Sequence, residues 1–277
     1  MSNGVPVTAG PVLVLGGTGF LGKHICAAFR TTGAQVYAVG RHVRPVPADR
    51  CIPLDLSDGV PEKLVELLAG LGPSVVVNAA GAVWGVSEEQ LVASNVVLVR
   101  QLVAAIATTV PRPRLVQLGS VHEYGPVAAG TSIDESTPTS PVAESLLGRV
   151  AQQLAAAARG DGEAVLRLAP LRALRDFVDV RDVADAVTAA ATAQVGCAVV
   201  NIGSGAAVSV RALVNELIAS SGVPALVEEV GEADAARSPG IEWQQVDIAA
   251  ARTTLGWKPR RGMTDSLRDM WVAASAA

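Results

Sequence analysis

The run Val12-Leu13-Val14-Leu15-Gly16-Gly17-Thr18-Gly19-Phe20-Leu21-Gly22 constrains this chain more than any other part of it. Four apolar residues closed by glycine predict a buried strand, and residues 23–29 continue with apolar side chains at helical spacing. Between them Gly17, Gly19 and Gly22 match G-x-G-x-x-G, and Gly16 extends the pattern to G-x-x-G-x-x-G. In a strand–turn–helix setting such glycines give a tight turn, close approach of backbone to a pyrophosphate, and close helix-on-strand packing. The helix that follows presents N–H groups and the positive end of its dipole to the phosphates. The stretch therefore predicts a dinucleotide site, with Gly16, Thr18, Gly19, Phe20, Leu21 and Gly22 against the cofactor.

The next strand selects the cofactor. Gly33 ends the first helix and residues 35–39 read as a second strand. Where an NAD site carries an acid for the ribose 2′-hydroxyl, this chain has Gly40-Arg41-His42-Val43-Arg44. Arginine at that place suits a 2′-phosphate, so NADP(H) is the expected cofactor, bound by Arg41, His42 and Arg44. Residues 52–54 form a short third strand, followed by Asp55 and Leu56 near the adenine, while Asp58 suits a cap for a helix over 61–69. Residues 74–77 form a buried strand. Asn78-Ala79-Ala80-Gly81 at its carboxyl end is small enough for a ribose or ring to lie on the backbone. A helix over 88–108 ends before Pro111 and Pro113, and residues 114–118 give the next strand, ending in Gly119-Ser120-Val121-His122-Glu123-Tyr124-Gly125. Strand and helix patterns alternating in this way predict an α/β fold with a doubly wound parallel sheet of the Rossmann type and a small C-terminal lobe. Residues 1–168 are expected to form the dinucleotide-binding domain. Residues 169–277 are expected to be mainly a substrate-binding lobe, with segments around 176–203 returning to the sheet.

Composition narrows the function classes. Half of the 277 residues are hydrophobic but only 3% are aromatic, so Val, Leu and Ala must fill the core. A net charge of −4 gives no footing for nucleic acid. No unbroken apolar run reaches spanning length and the N-terminus lacks a signal pattern, so a cytoplasmic protein without a membrane partner is expected. Cys26, Cys51 and Cys197 are scattered and odd in number, as in a reducing compartment. His24, His42 and His122 form no ligand cluster, and no metal is expected. Asp176, Asp179, Asp182 and Asp185 are spaced by three, which fits a loop acid and a helix cap better than a metal site.

Taken together, the chain resembles the extended short-chain dehydrogenase/reductase family, in its epimerase/dehydratase branch. The likeness rests on the Gly16–Gly22 loop, Asp55-Leu56, Asn78-Ala79-Ala80-Gly81, Asn95, Ser120-x-x-x-Tyr124-Gly125, the Asp176–Ala184 segment, Asn201-Ile202-Gly203-Ser204-Gly205 and Leu255-Gly256-Trp257-Lys258-Pro259. The resemblance implies a Tyr-x-x-x-Lys pair after Ser120, the Tyr giving a proton to the forming alkoxide. One register puts Glu144 and Gly148 at those positions, the next puts Ser145 and Arg149 there, and no Tyr follows Tyr124. The usual proton donor is missing.

Three accounts of that departure follow. In the first, hydride transfer continues and the proton comes from substrate or water, because orientation against the nicotinamide supplies much of the catalysis. This pattern is similar to tyrosine-less ketoreductases of aromatic polyketide tailoring, and implies a polycyclic, angucyclinone-like ketone from antibiotic biosynthesis, reduced by NADPH. Ser120 would position the substrate oxygen. The second account is a non-catalytic NADP sensor or scaffold. The third is a nucleotide-sugar epimerase or reductase whose acid moved to His122, Glu123 or Tyr124. The short connection after the 163–168 strand weakens that third account, since sugar-nucleotide enzymes of this family carry a longer loop there. Trp84, His122, Glu123, Tyr124, Ala169, Pro170 and Leu171 are the expected substrate-lining residues. Family likeness also makes a homodimer possible through helices over 88–108 and 145–159.

Overall fold

The computed structural model of the chain describes residues 10–56, 61–82, 87–138, 164–168, 170–229 and 242–275. It divides into two compact units, residues 1–119 with 183–197 and 254–257, and residues 120–182 with 198–253 and 258–277.

The first unit is a five-stranded parallel sheet in the order β3-β2-β1-β4-β5. Its strands are β1 (Val12–Leu15), β2 (Val36–Gly40), β3 (Arg50–Pro53), β4 (Val75–Asn78) and β5 (Arg114–Gln117). Val12 stands opposite Val36 on one side and Val75 on the other. The helices are α1 (Phe20–Thr31), α2 (Pro61–Leu71), α3 (Glu88–Val92), α4 (Leu98–Thr108) and, from residue 183 onward, α5 (Val180–Thr192). Successive strand residues point to opposite faces. Val12, Val14, Val36, Ala38, Val75 and Val77 pack against Ile25, Cys26 and Phe29 of α1 and Ala184, Val187 and Ala191 of α5. Leu13, Leu15, Val39 and Val76 pack the other way, on Leu64 and Leu68 of α2 and Leu98, Leu102, Ala105 and Ile106 of α4. A sheet covered on both faces needs near-continuous apolar strands, which is why β1 and β4 are almost free of polar residues.

A π-helical turn, Ala93–Val97, joins α3 to α4 inside the helix the sequence predicts over 88–108. The stretch Glu89–Thr108 is long and apolar enough to cross a membrane by length and composition, although Asn95, Arg100 and Gln101 interrupt its apolar run. Its buried stripe faces the sheet.

The second unit holds a two-stranded parallel pair, β7 (Ala164–Leu168) with β10 (Ala225–Glu229). It also holds a four-stranded sheet ordered β6 (Ser132–Ile133), β11 (Trp243–Val246), β8 (Leu174–Asp176) and β9 (Ala207–Ser209). The sequence puts a boundary at 168. In the structure β7 takes β10 as its ladder partner, and the first unit comprises residues 1–119 with 183–197 and 254–257. Helices α6 (Val210–Ser221) and α8 (Met263–Ser275) cover a core of Leu166, Leu168, Leu171, Leu213, Leu217 and Leu267. A short α7 (Ala249–Leu255) lies between them in sequence, and Asp247 caps it through the Ala249 amide at 2.7 Å.

The acids spaced by three anchor loops in this unit. Asp176 accepts from the Ser204 amide (2.6 Å) and hydroxyl (2.7 Å), the Gly205 amide (2.9 Å) and the Val246 amide (3.1 Å). Asp182 is buried and accepts from the Arg260 and Arg261 amides, each at 3.0 Å. Asp179 accepts from Arg181 Nε at 2.9 Å and Nη2 at 2.6 Å and from the Ser266 hydroxyl at 2.5 Å. The Arg181 hydrogen bonds hold the Asp179 carboxyl well below the usual carboxylate range. Because the folded state favours its ionised form, this contribution is fully present above the unfolded value and is lost as pH falls below about 4. Asp179→Asn should therefore destabilise the second unit by about 2 kcal/mol at neutral pH, judged by the cost of losing charge-assisted bonds, and should shrink its acid-induced loss of stability. Denaturation followed at neutral and acid pH checks both.

Candidate cofactor site and active-site turn

In the first unit the chain leaves β1 at Gly16, whose φ of +72° is a left-handed conformation that favours glycine. A Cβ on Gly16 would lie 2.7 Å from the Ala79 carbonyl and the Ala80 amide, and one on Gly17 would lie 2.7 Å from the Ala38 side chain. At Gly22 a Cβ would collide with the Gly16 carbonyl, so α1 rests directly on the turn. Gly19 differs. It is the N-cap of α1, and a Cβ there meets only the Gly16 carbonyl, at 3.1 Å. No side chain caps α1 and no acid lies in its first turn. Its leading N–H groups thus face an open cradle of the kind a pyrophosphate fills, and the residues fit a dinucleotide. Leu21 packs on the core, Phe20 is largely exposed, and the Lys23 ammonium stands 5.7 Å from its ring centre. Beneath the turn the Cys26 thiol donates to the Gly17 carbonyl at 3.9 Å, and burial pushes its pKa up to about 12, so it stays a thiol.

The ends of β2 and β4 complete this half. Thr18 presses its side chain against Gly40, where a Cβ would strike it. Arg41, His42 and Arg44 follow in an exposed loop, and Asp55 and Leu56, both half-buried, follow β3. Asn78 is fully buried. Its side-chain oxygen accepts the Ala80 amide at 3.1 Å and its nitrogen donates to Gln117 at 2.9 Å, so it shapes the loop from within. Ala79 and Ala80 meet the glycine turn at Gly16, while a Cβ on Gly81 would meet Asn95 Oδ1 at 2.9 Å. Asn95, on the π-helical turn, bonds both ways to Ala82, accepting its amide at 3.1 Å and donating to its carbonyl at 2.7 Å. That clamp is missing from the predicted site residues. A polar Asn inside a Val-rich helix was its signal.

The Ser120 segment belongs to the second unit. Ser120 caps a single 3₁₀ turn, Val121–Tyr124, its hydroxyl accepting the His122 amide at 3.3 Å while its own amide donates to Glu123 Oε1 at 2.8 Å. Tyr124 donates its hydroxyl to Asn201 at 2.9 Å, and the Asn201 amide donates to Glu135 at 2.6 Å. The phenol expected to face substrate thus serves as a tie. His122 is half-buried, and burial together with the Arg175 guanidinium pulls its pKa down, keeping the imidazole neutral near pH 7. Arg175 stands in register with Gln244 across β8 and β11, and Gln244 is buried. Neither residue is foreseen from the sequence. Leu171, expected in a pocket wall, is a core residue of this unit instead, while Pro170 is exposed. Its apolar neighbours on α6 and α8 account for the burial. Trp84, Ala169 and the Glu144, Ser145, Gly148 and Arg149 alternatives lie outside the described residues.

A doubly covered parallel sheet with an anion cradle between β1 and α1 defines a Rossmann-type dinucleotide-binding protein. The family model described as "NAD dependent epimerase/dehydratase family" matches residues 12–145 and 143–203, and the chain belongs to that family. It is 40% identical over 306 aligned positions to dTDP-6-deoxy-L-talose 4-dehydrogenase (NAD(P)(+)) of Kitasatospora kifunensis, covering 96% of each protein. Among solved structures it is similar to a UDP-glucose 4-epimerase from Brucella ovis in complex with NAD, with TM-score 0.80, 20% identity and 96% and 99% of the two chains covered. It is also similar to RMD from Pseudomonas aeruginosa complexed with NADPH, with TM-score 0.78, 20% identity and coverage of 97% and 99%.

The glycines should separate by experiment. Gly19→Ala is expected to keep the melting temperature within a few degrees and weaken cofactor binding at least about tenfold, a loss of about 1.4 kcal/mol. Gly22→Ala, which forces α1 off the turn, should fail to fold. Fluorescence titration with NADPH and thermal denaturation read the two effects.

Proposed function

We propose that this chain is an NADP(H)-dependent oxidoreductase working at one carbonyl/alcohol centre, and that its substrate is a polycyclic aromatic ketone with a phenol beside the carbonyl. The observation that carries the reading is the fate of its tyrosines. The chain has two, and of these Tyr37 packs against the core of the first unit while Tyr124 donates to Asn201. Neither is available as the phenolic acid, so the proton must come from another source. A phenol next to the ketone supplies one, because its internal hydrogen bond stabilises the alkoxide as it forms. Bound NADPH would supply the hydride. The chain's own residues do the rest: the α1 amides near Gly19 hold the pyrophosphate, Arg41 with His42 and Arg44 selects the 2′-phosphate, and Asp55 and Leu56 border the adenine. Ala79 to Gly81, held by Asn78 and Asn95, form a flat floor for the ribose. Ser120 donates to the substrate oxygen, with His122 and Pro170 lining its surroundings.

A second reading is oxidoreduction at C4 of a deoxysugar nucleotide. It is favoured by the 40% identity, across nearly the whole chain, to the 4-dehydrogenase from Kitasatospora kifunensis. The exposed Val92, Val96, Val97 and Val103 support a homodimer, and the three free cysteines support a cytoplasmic setting.

Single-turnover oxidation of bound NADPH against polycyclic hydroxy-ketones and nucleotide 4-keto sugars separates the readings. Turnover confined to the sugars overturns the first, and tight NADPH binding without any turnover overturns both. Arg41→Ala should weaken NADPH at least about tenfold, the cost of a charge-assisted phosphate contact, and leave NADH little changed. Ser120→Ala should lower the rate about tenfold to a hundredfold at unchanged NADPH affinity.

A further inference from the structure

The Ser120 turn carries an acid whose role none of the preceding assignments explains. Glu123 lies three residues after Ser120 and is exposed, yet its Oε1 accepts the Ser120 amide at 2.8 Å. In return the Ser120 hydroxyl accepts the His122 amide at 3.3 Å, and the Ser120 carbonyl accepts the Glu123 amide at 2.9 Å. The far end of the turn is pinned by Tyr124 on Asn201 and closed by Gly125, whose φ is +69°. A hydroxyl has one proton to give and two lone pairs. Here a lone pair faces the backbone of the turn, which fixes the rotamer and leaves the proton pointing away from it. Among the described residues that hydroxyl donates to none. A free serine would sample three rotamers and serve as donor or acceptor alike.

We propose that Glu123 is a positioning residue for the reaction: by locking the Ser120 backbone into a reciprocal cap, it holds the Ser120 hydroxyl in one rotamer with its proton available to donate toward the substrate oxygen. This rests on the role given to Ser120 above. Glu123 itself transfers no proton and touches no reacting atom, so a neutral side chain with the same acceptor oxygen should do its work. That separates it from a relocated acid.

Two measurements on the NADPH-loaded protein decide it. In the first, amide hydrogen exchange at Ser120 should be slow in the parent, fast in Glu123→Ala and slow again in Glu123→Gln. In the second, single-turnover NADPH oxidation with a peri-hydroxylated tetralone should fall about tenfold in Glu123→Ala at unchanged NADPH affinity, and Glu123→Gln should recover most of it. Added to Ser120→Ala, Glu123→Ala should cost less than about twofold more, as expected of residues acting through one group. Equal loss in the Gln and Ala variants would make Glu123 a proton carrier and overturn the proposal. Full additivity with Ser120→Ala would overturn it as well. If Ser120→Ala leaves the rate intact, or the tetralone is not reduced at all, the oxygen-holding reading fails by itself. The exchange arm then still rules on Glu123, and slow exchange in Glu123→Ala overturns the lock.

Discussion

The contact of helix α1 with the turn before it, Gly22 against the Gly16 carbonyl, is the constraint the first unit is built around. Bringing a helix that close to a strand end requires a residue without a Cβ, and it places α1's unpaired amides at the carboxyl edge of the sheet. The other features respond to that placement. Gly16 turns left-handed to pass Ala79, Ala38 stays small beneath Gly17, and Cys26 fills the space under the turn as a compact, protonated thiol. The alternation of Val and Leu along β1 then distributes α1 and α5 to one face and α2 and α4 to the other.

Most of this was readable from residue order, because the controlling forces are local. Four apolar residues, a glycine turn and helical periodicity specify β1 and α1, and the Ser209 and Asp247 caps are side-chain-to-backbone bonds within a few residues. The second unit is less legible for the opposite reason. Glu228 and Glu229 look like a solvated acidic loop, but they end strand β10, where Glu229 pairs with Arg211 and accepts the Leu171 amide. Only the pairing of β7 with β10 reveals this, and the two strands are 57 positions or more apart in sequence. Asp176 is similar: its partners at 204, 205 and 246 come from distant segments, so a spacing of three said nothing about them. At the candidate site, the glycines, Arg41, Asn95 and Ser120 stand out as motif residues, whereas the clamp of Asn95 on Ala82, the place of Arg175 and the tie from Tyr124 to Asn201 depend on tertiary geometry.

The chemistry follows from what the tyrosines and the Ser120 turn can and cannot do. Of the two phenols in the chain, Tyr37 is occupied in packing and Tyr124 in a hydrogen bond to Asn201. The described groups around Ser120 are a neutral imidazole, an acid bonded to backbone and a hydroxyl that accepts a backbone amide. Such a set can orient an oxygen and polarise it. On the proposed reading the proton comes from the molecule being reduced, so substrate choice and proton supply become a single requirement.

The π-helical turn has a consequence of its own. A π turn holds one residue more than an α turn, which rotates everything after it by about 100°. The stripe that Leu98, Leu102 and Ile106 bury is therefore out of phase with α3. Deleting one residue of Ala93–Val97 other than Asn95 would let the segment wind as ordinary α-helix and would carry Asn95 round the barrel of the helix, away from Ala82. A loop thirteen positions upstream would then lose its tether without being altered itself.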